Sequence, residues 1–501
     1  MSTTDFGKPD VIVVGAGNAA CCAAFAAREA GANVIMLEAA PLDDCGGNSR
    51  YTGGLMRVVY NGVDDLAQII PDLTEQEKKT HDYGSYTAEA YYDDMGRITQ
   101  YRTDPDLCQI LIERSFETLV WLRKKGVKFQ ASYGRQSYKI DNGTRYKFWG
   151  GLAAETWGGG AGLIENEHKA CEREGIKIFY ETPAIGLITN DDGVVLGVRA
   201  KHKGKKVEIR STSVVLACGG FESDAEMRAR YLGPGWDLAK VRGTRYNTGL
   251  GIKMALEIGA MAYGHWSGCH AVGWDLNAPP FGDVNVGDQF QKHSYPWGIM
   301  INANGERFVD EGADFRNYTY AKYGRVVLEQ PGMMAYQVFD QKIIPMLRDE
   351  YRIKQVTKVR ADTLEELVKK MEGVNAENCL REIREYNKAV QNDKPFNMAI
   401  KDGRCTKGLK IDKTNWANTI EDPPFEAYGV TCGVTFSFGG LKITNNGEVQ
   451  DTGGNPIPGL FAAGELVGGI FYHNYPGGTG LTSGSVFGKI AGTGAAAYVK
   501  G

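Results

Sequence analysis

A turn of small residues follows directly on an apolar run near the start of the chain. Val11 to Val14 are β-branched, and Gly15 and Gly17 come immediately after them. Gly15 permits a tight turn and Gly17 allows the backbone to approach a pyrophosphate, while the small Ala20 lets a helix pack closely on a strand. Residues of these types at this spacing can bind the phosphates of a dinucleotide.

The segments around this turn match the elements that a dinucleotide site requires. An alanine-rich run from Ala19 to Ala30 predicts a helix, and a second strand is predicted from Asn33 to Leu37. Glu38 follows at the end of that strand, where a carboxylate can bind ribose hydroxyls. Strand, glycine turn, helix, strand and acid in this order predict a Rossmann-like α/β unit.

Three further glycine-rich segments distinguish FAD from a nicotinamide dinucleotide as the predicted cofactor. The first, Cys45–Gly54, comes soon after Glu38, where a nicotinamide dehydrogenase would continue with another helix and strand. Val214–Phe221 is a strand that ends in glycines, and Asn455–Glu465 would return the chain to the first sheet, with Glu465 near a flavin ribityl chain. These segments span most of the chain and predict FAD, held by a domain built from both chain ends.

The predicted FAD-binding residues lie in or beside these segments and the segment that follows Tyr475. They are Gly15, Gly17, Asn18, Ala19, Ala20, Glu38, Gly47, Asn48, Ser49, Thr52, Gly53, Gly54, Ala217, Gly219, Gly220, Asn247, Gly464, Glu465, Gly480, Leu481 and Thr482.

The middle of the chain predicts an inserted unit. Thr363–Met371 and Asn378–Tyr386 have apolar residues at helical spacing with charges between them, which is typical of scaffold helices. We predict an α/β protein in which a discontinuous, Rossmann-like FAD-binding domain covers residues 1–265 and 420–501. An α+β substrate-binding or capping domain would cover residues 266–419. The basic run Lys201–Arg210 predicts a solvated β-hairpin.

Composition excludes several classes of protein. The net charge is −4, so the basic face that nucleic acid requires is not expected. No run of 18 apolar residues is present, so no transmembrane span is expected. The first residues lack the basic and apolar regions of a signal peptide, so we expect a cytoplasmic protein. The ten cysteines form no CxxC pair, which predicts buried thiols rather than cluster or zinc ligands.

Gly305–Tyr320 and Phe471–Gly488, together with the FAD-binding segments, carry a resemblance to a known family. The chain resembles the flavoproteins of fumarate reductase and succinate dehydrogenase, with the 3-ketosteroid dehydrogenases as related proteins. The resemblance covers roughly residues 8–498 and is closest to tricarballylate dehydrogenase-type flavoproteins. It implies an enzyme that moves a hydride between flavin N5 and a carbon beside a carboxylate or carbonyl, while a proton moves at the neighbouring carbon.

The resemblance also implies a proton-donating arginine, placed four residues after the glutamate of an RFxxE motif. The motif here ends at Glu311, and Arg316 follows five residues later, displaced by one position. We therefore expect Arg316 to be the active-site arginine, with Tyr318 as a further candidate. An arginine paired with Glu311 or Asp314 is the alternative.

Two residues that clamp carboxylates in fumarate reductases, a histidine and an arginine, correspond here to Phe436 and Tyr475. Both clamps are therefore lost, which disfavours fumarate or succinate as the substrate. Tyr475 instead resembles a tyrosine of the ketosteroid dehydrogenases, whose hydroxyl polarises a carbonyl together with a glycine amide. The amide of Gly478 or Thr479 would complete such a pair here.

Two further features belong to the expected substrate site. Gly480–Ser485 predict a helix N-terminus whose positive dipole would face the flavin and stabilise its reduced form. His270 lies between Trp266 and Trp274, where the family places a histidine that contacts the substrate. Other candidates near the substrate are Arg145, Trp149, Trp157, Tyr320, Phe438 and His473.

Respiratory members of the family carry a histidine that binds FAD covalently, and the aligned position here is Gly47, so non-covalent FAD is expected. Three activities stay open: a dehydrogenase acting beside a carboxylate, as on tricarballylate; a steroid or cyclic-ketone dehydrogenase; and an ene-reductase. An electron-transfer subunit without its own substrate site is a fourth alternative, which Arg316 and Tyr475 disfavour. No haem CxxCH motif is present, so an electron-accepting partner or a quinone is expected.

Overall fold

The computed structural model describes residues 5–140, 144–148 and 150–501. Its strands are β1 (Val11–Val14), β2 (Val34–Leu37), β3 (Phe129–Ala131), β4 (Ser137–Ile140), β5 (Arg145–Phe148), β6 (Ala154–Thr156), β7 (Lys177–Phe179), β8 (Ala184–Thr189), β9 (Val195–His202), β10 (Lys205–Arg210), β11 (Ser213–Leu216), β12 (Lys240–Val241), β13 (Ala262–Asp275), β14 (Ile299–Asn302), β15 (Ala335–Phe339), β16 (Lys358–Ala361), β17 (Phe425–Leu441), β18 (Glu448–Gln450) and β19 (Pro456–Ala462).

The helices are α1 (Asn18–Glu29), α2 (Val63–Ile69), α3 (Glu75–Thr80), α4 (Ala88–Ile98), α5 (Pro105–Lys124), α6 (Tyr133–Gln136), α7 (Gly159–Arg173), α8 (Ala225–Met227), α9 (Leu250–Glu257), α10 (Tyr320–Leu328), α11 (Leu364–Lys370), α12 (Ala376–Ala389) and α13 (Thr479–Val499). Among the described residues, no helix combines the length and the apolarity that a membrane span needs.

The first sheet joins strands from both ends of the chain. Its order is β18-β19-β11-β1-β2-β7, and its strands run parallel except for β18 at the edge. In the register, Ile12 lies between Ile35 of β2 and Val214 of β11. Continuous apolar strands suit a parallel sheet because both of its faces are covered. This sheet confirms the predicted Rossmann-like fold and its assembly from the two chain ends.

Helices α1 and α13 pack closely over this sheet because small residues line their contact. A Cβ added to Gly488 would lie 2.5 Å from the Ala19 carbonyl oxygen, and one added to Gly492 would overlap the Ala23 carbonyl oxygen. The backbones therefore approach each other directly. This packing sets where the N-terminus of α13 stands relative to the turn before α1.

The second sheet, which we call the capping sheet, is organised around the long strand β17. β12, β13, β15 and β16 each pair with β17, and β14 extends the sheet from β15. The predicted boundary at residue 265 falls inside β13, and β17 lies in the segment that was assigned to the FAD-binding domain. The capping sheet therefore begins before residue 266 and extends beyond residue 419, because a single strand organises residues from both segments.

Two smaller predictions are also confirmed. Strands β8, β9 and β10 form an antiparallel meander, in which β9 and β10 make the predicted hairpin around Gly204. Helices α11 and α12 form at the predicted positions. Their buried Leu367 and Ile383 belong to one apolar cluster with Ala427 of β17, so both helices support the capping sheet.

The α1–α13 contact yields a prediction about stability. Gly492→Ala places a methyl group against the backbone of α1, so we expect a loss of about 1–3 kcal/mol in the free energy of unfolding. The control is Gly134→Ala, also in a helix but with open space around its Cα, for which we expect a change within about 0.5 kcal/mol. Urea denaturation followed by circular dichroism measures both. Equal stabilities of the two variants would contradict the account of this packing.

Candidate active site

A cavity of about 360 Å³ is lined by residues from both sheets. Its wall includes the carboxyl ends of β1, β2 and β11, the middle of β13 and β17, and the first turn of α13. In parallel α/β sheets, ligands bind at this edge of the strands. The predicted cofactor residues in this lining are Gly15, Gly17, Asn18, Ala19, Glu38, Gly47, Asn48, Ser49, Thr52, Gly53, Ala217, Gly219, Asn247, Gly464, Glu465, Gly480 and Leu481.

The remaining predicted cofactor residues, Ala20, Gly54, Gly220 and Thr482, lie outside the lining. Two of them contact residues that form the wall or hold it in place. The Thr482 hydroxyl, for example, donates to the Arg57 carbonyl oxygen at 2.8 Å. A Cβ on Gly220 would overlap Oε1 of Glu465, so this glycine makes room for a lining residue.

The turn before α1 has the backbone that a pyrophosphate requires. Gly15 adopts a φ of +114°, and an added Cβ would overlap the Ala217 carbonyl oxygen, so a side chain is excluded. The first turn of α1 carries no acidic residue. Its free amides and positive dipole end therefore face the cavity without a competing carboxylate. The Asn18 amide donates to Oγ of Ser49 at 3.1 Å, which ties this turn to the loop after β2.

Glu38 lies at the end of β2, where its buried carboxyl group can accept hydrogen bonds from ribose hydroxyls. Its side chain is buried, and Oε1 accepts a hydrogen bond from the Ala40 amide at 2.8 Å. Burial raises the pKa of Glu38 to about 7. Within the described ranges the carboxylate has no ion-pair partner, so ribose hydroxyls that donate to it would compensate its burial. These features fit the adenosine half of a dinucleotide.

A network of buried polar side chains holds the loops around the middle of the cavity. Oε1 of Glu222 accepts from Nδ2 of Asn247 at 2.7 Å and also from Nδ2 of Asn48. Oε1 of Glu465 accepts from the Ser437 amide at 2.8 Å. Burial and the neighbouring Glu222 raise the pKa of Glu465 well above its ordinary value. The network fixes the loop after β2 and the segment after β19 against β17.

The segment before α13 places a hydroxyl and an amide together. The Gly480 amide donates to the Tyr475 hydroxyl oxygen at 2.8 Å. The sequence had predicted an amide, of Gly478 or Thr479, that would polarise a carbonyl together with the Tyr475 hydroxyl. In the structure the Gly480 amide instead donates to that hydroxyl, and the Thr479 amide donates to the Pro476 carbonyl oxygen. Since its oxygen accepts from Gly480, the hydroxyl of Tyr475 retains its own proton for a ligand in the cavity.

Arg57 fixes this segment, and the sequence analysis missed it. Its Nε donates to the Gly477 carbonyl oxygen at 2.9 Å, and its amide donates to the Gly478 carbonyl oxygen at 3.0 Å. The guanidinium is fully buried and pairs with Asp94 at 3.4 Å. Arg57 lies outside every glycine motif, and its partner Gly477 is 420 residues away, so no local sequence pattern predicts this contact.

His270 is part of the cavity wall, as predicted. Its ring stacks on Tyr475 with centroids 4.6 Å apart and meets Tyr320 edge-on at 4.9 Å. Burial lowers the pKa of His270 well below its ordinary value, so the ring is neutral. Nε2 is buried and has no hydrogen-bond partner in the described part of the chain. A neutral ring nitrogen is therefore available to a ligand.

Arg316 lies close to the cavity but is not part of its lining. One of its terminal nitrogens donates to the Arg135 carbonyl oxygen at 2.7 Å. Burial and the charge of Arg348 lower the pKa of Arg316 to about 10. Its charge acts on Tyr320, which does line the cavity. Among the described residues, Arg316 forms no ion pair with Glu311 or Asp314, which pair with Arg307 and Arg97 instead.

Tyr318 is held away from the cavity. Its hydroxyl donates to Oδ2 of Asp94 at 2.7 Å, so it belongs to the network around Arg57 instead of the lining. Of the other candidates near the substrate, Tyr320 and Phe436 line the cavity, and Phe438 is buried outside it. Three candidates are exposed: Arg145, Trp157 and His473. Trp149 lies outside the described residues.

The comparison with protein families decides the identity of the chain. The model of the FAD binding domain family matches residues 10–481. The chain belongs to this family. The bound cofactor of the family is therefore FAD, which the glycine turn, Glu38 and the positive end of α13 fit on their own geometry.

Similar proteins support the same conclusion. A probable fumarate reductase of Shewanella frigidimarina is 30% identical over 97% of this chain and 75% of its own. A urocanate reductase of Eggerthella lenta is 28% identical over 99% of this chain and 75% of its own. The chain is thus an FAD-dependent oxidoreductase related to fumarate reductases, which confirms the resemblance seen in the sequence.

Solved structures show the same fold. A flavocytochrome c3 fumarate reductase in an open conformation aligns with a TM-score of 0.74 and 27% identity, over 99% of this chain and 79% of that one. A 3-ketosteroid Δ1-dehydrogenase from Sterolibacterium denitrificans aligns with a TM-score of 0.74 and 20% identity, over 98% and 99% of the two chains. The second likeness concerns the fold alone.

The state of Glu38 yields a prediction for FAD binding. Because burial raises the pKa of this carboxyl to about 7, a ligand whose hydroxyls donate to the ionised form should bind more tightly as the pH rises. We expect the FAD dissociation constant of the apoprotein to fall roughly tenfold per unit between pH 5.5 and 7 and then to level off. Fluorescence quenching of FAD measures it.

Glu38→Gln should remove this pH dependence, while Glu172→Gln, a change at an exposed position on α7, should retain it. An affinity that is independent of pH in the unaltered protein, or that varies equally in Glu38→Gln, would contradict the role given to Glu38.

Proposed function

We propose that the protein catalyses dehydrogenation of a carbon–carbon single bond next to a carboxylate, with tricarballylate-type substrates as the first candidates. The observation that carries the proposal is the pair formed by the Tyr475 hydroxyl and the Gly480 amide at the start of α13, beside the neutral His270. Donors fixed in a buried site stabilise charge that develops on a substrate oxygen. FAD, when bound, supplies the hydride acceptor at flavin N5.

In this proposal, Tyr475 binds one oxygen of the substrate carboxylate through its hydroxyl proton. The positive end of α13 favours the negative charge that builds on this oxygen when the adjacent C–H bond is broken. His270 stacks on Tyr475 and keeps its ring oriented toward the cavity. Phe436 and Tyr320 form the apolar part of the wall, which keeps water from the reacting carbons.

Arg316 is the candidate for handling the proton. With a pKa lowered to about 10, its guanidinium exchanges a proton more readily than an ordinary arginine. Tyr320 is the lining residue on which its charge acts, so we place the route of the proton past this side chain. The same residues would deliver a proton if the enzyme works in the direction of reduction.

A ketone dehydrogenase is the second candidate. The Tyr475 hydroxyl, polarised by the Gly480 amide that donates to it, would donate to a carbonyl as well as to a carboxylate, and the aromatic residues of the wall would accept a cyclic substrate. The charge of Arg316 near the cavity favours the carboxylate because, among the described residues, this arginine has no acidic ion-pair partner.

The remaining proposals concern the setting of the reaction. Electrons would leave the reduced flavin to a partner protein or a quinone. We place the protein in the cytoplasm, where its free thiols stay reduced.

FAD binding without a covalent bond is the last proposal. Gly47 occupies the position at which respiratory relatives carry the linking histidine, and a glycine cannot form that bond. Precipitating the holoprotein with acid should leave its yellow colour in the supernatant. Colour that stays with the pellet would show a covalent link.

The substrate proposal predicts which compounds reduce the enzyme. Under anaerobic conditions, tricarballylate should bleach the 450 nm absorbance of the holoprotein, and a 3-ketosteroid and a cyclohexanone carboxylate should not. Bleaching by a ketone alone would contradict the proposal in favour of the second candidate. Reoxidation of the dithionite-reduced enzyme by an enoate, without bleaching by any compound, would assign it to reduction.

Tyr475→Phe tests the role of the hydroxyl in the same assay. Removing this donor to the substrate oxygen should slow bleaching by about 100-fold or more while FAD stays bound. Tyr498→Phe, which removes an exposed hydroxyl at the far end of α13, is the matched control and should react at the normal rate. A normal rate for Tyr475→Phe would remove this residue from the mechanism.

A further inference from the structure

Arg242 is a buried arginine that no glycine motif includes and that the sequence analysis did not select. It follows directly on β12, which pairs with β17 at Val434, and its amide donates to the Val434 carbonyl oxygen at 2.8 Å. Its residue surface is 6% exposed, and it lines the cavity. The backbone of β17 therefore holds this side chain at the wall of the active site.

The guanidinium of Arg242 has no partner of its own. Nε is buried without a hydrogen bond, and in the described part of the chain the group forms no ion pair. Two other buried arginines have a counter-charge: Arg57 pairs with Asp94 at 3.4 Å, and Arg307 pairs with Glu311 at 2.6 Å. Burying a cation without a counter-charge is costly, so an anion that enters the cavity would relieve that cost.

The neighbours of Arg242 in the cavity are those of the reaction site. His270 pairs with Phe436 in the register of β13 and β17, two positions from the residue that holds Arg242. The charge of Arg242 acts on His270, Tyr320 and Tyr475. Arg242 and the Tyr475–Gly480 pair therefore line one cavity, in which the Arg242 guanidinium and the Tyr475 hydroxyl can donate to two different oxygen atoms of a ligand.

We propose that Arg242 binds a second carboxylate of the substrate, so that the enzyme selects a di- or tricarboxylate over a neutral compound. This inference rests on the proposed function, which places the first carboxylate at Tyr475. A planar guanidinium can hold a carboxylate through two parallel hydrogen bonds, which fixes the orientation of the substrate as well as its charge. Arg242 would thus take over the role of the clamp whose position Phe436 occupies in the same cavity.

Citrate is the probe that separates binding from turnover. It has three carboxylates but no hydrogen on its central carbon, so it cannot be desaturated at the bond where tricarballylate would react. Its neutral triamide has a similar shape and no charge. Isothermal titration of the FAD-loaded protein with each compound gives the dissociation constants, and the flavin absorbance reports whether the ligand lies at the cofactor.

Arg242→Met should weaken citrate binding roughly 10- to 100-fold, as expected for the loss of a charge-assisted contact, and should leave binding of the triamide unchanged. Arg242→Lys should recover part of the loss because it keeps the charge. The matched control is Arg245→Met on the same segment. Arg245 is exposed and lies over the Phe281 ring, so this variant should bind citrate normally.

Two further readouts exclude other roles. Because the Arg242 guanidinium has no partner among the described residues, Arg242→Met should melt no lower than the unaltered protein in the absence of ligand, and it should retain its FAD. A lower melting temperature would show a structural role, loss of FAD would assign Arg242 to the cofactor, and unchanged citrate binding would remove it from the substrate site. Each of these results overturns the proposal.

The outcomes also distinguish this proposal from the proposed function. Citrate that binds through Arg242 while tricarballylate fails to bleach the flavin would support the anion site and contradict the substrate. Bleaching by tricarballylate, together with normal citrate binding in Arg242→Met, would support the proposed substrate and contradict the anion site at Arg242. If the unaltered protein does not bind citrate at all, the anion site is contradicted.

Discussion

Asn18 joins the two ends of the chain at the cavity. Its Nδ2 donates to the Leu481 carbonyl oxygen at 2.9 Å, and its Oδ1 accepts from the Ser485 hydroxyl at 3.0 Å. The first residue of α1 is thereby linked to the first turns of α13, nearly the full length of the chain away. Because the helices also pack through glycines, their N-terminal ends open toward the same space. The phosphate turn and the Tyr475–Gly480 pair depend on this junction for their relative position.

The capping sheet adds the second constraint. A single strand, β17, carries Phe436 and holds Arg242 and His270 from its two sides through β12 and β13. This arrangement sets the charge of the cavity, which receives a guanidinium from Arg242 and a neutral imidazole from His270. Burial keeps His270 uncharged, so the positive charge of the wall is concentrated on arginine. The site is thus arranged for anions, with an aromatic wall beside the reacting carbons.

Local motifs predicted the cofactor side of the molecule well. The turn at Gly15, the acid at Glu38 and the return through Glu465 are each short segments whose backbone chemistry is independent of distant contacts, and they line the cavity as expected. The substrate side was harder to predict. Tyr318 was selected for its place near Arg316, yet its hydroxyl donates to Asp94 and not into the cavity. Arg57 and Arg242 belong to no sequence motif, because contacts with residues distant in the chain place them at the site. The pairing of β17 with strands on both sides of the predicted domain boundary is long-range in the same way.

The central claim is that FAD and an anionic substrate share this cavity, with the flavin between the α1 turn and the start of α13. A crystal structure of the holoprotein with citrate tests it most directly. The account predicts the pyrophosphate at the amides after Gly15, the isoalloxazine beside Gly480, one carboxylate at the Tyr475 hydroxyl and a second at the Arg242 guanidinium. A citrate bound away from these residues would contradict the account. So would a flavin ring that lies outside the space between the α1 turn and the start of α13.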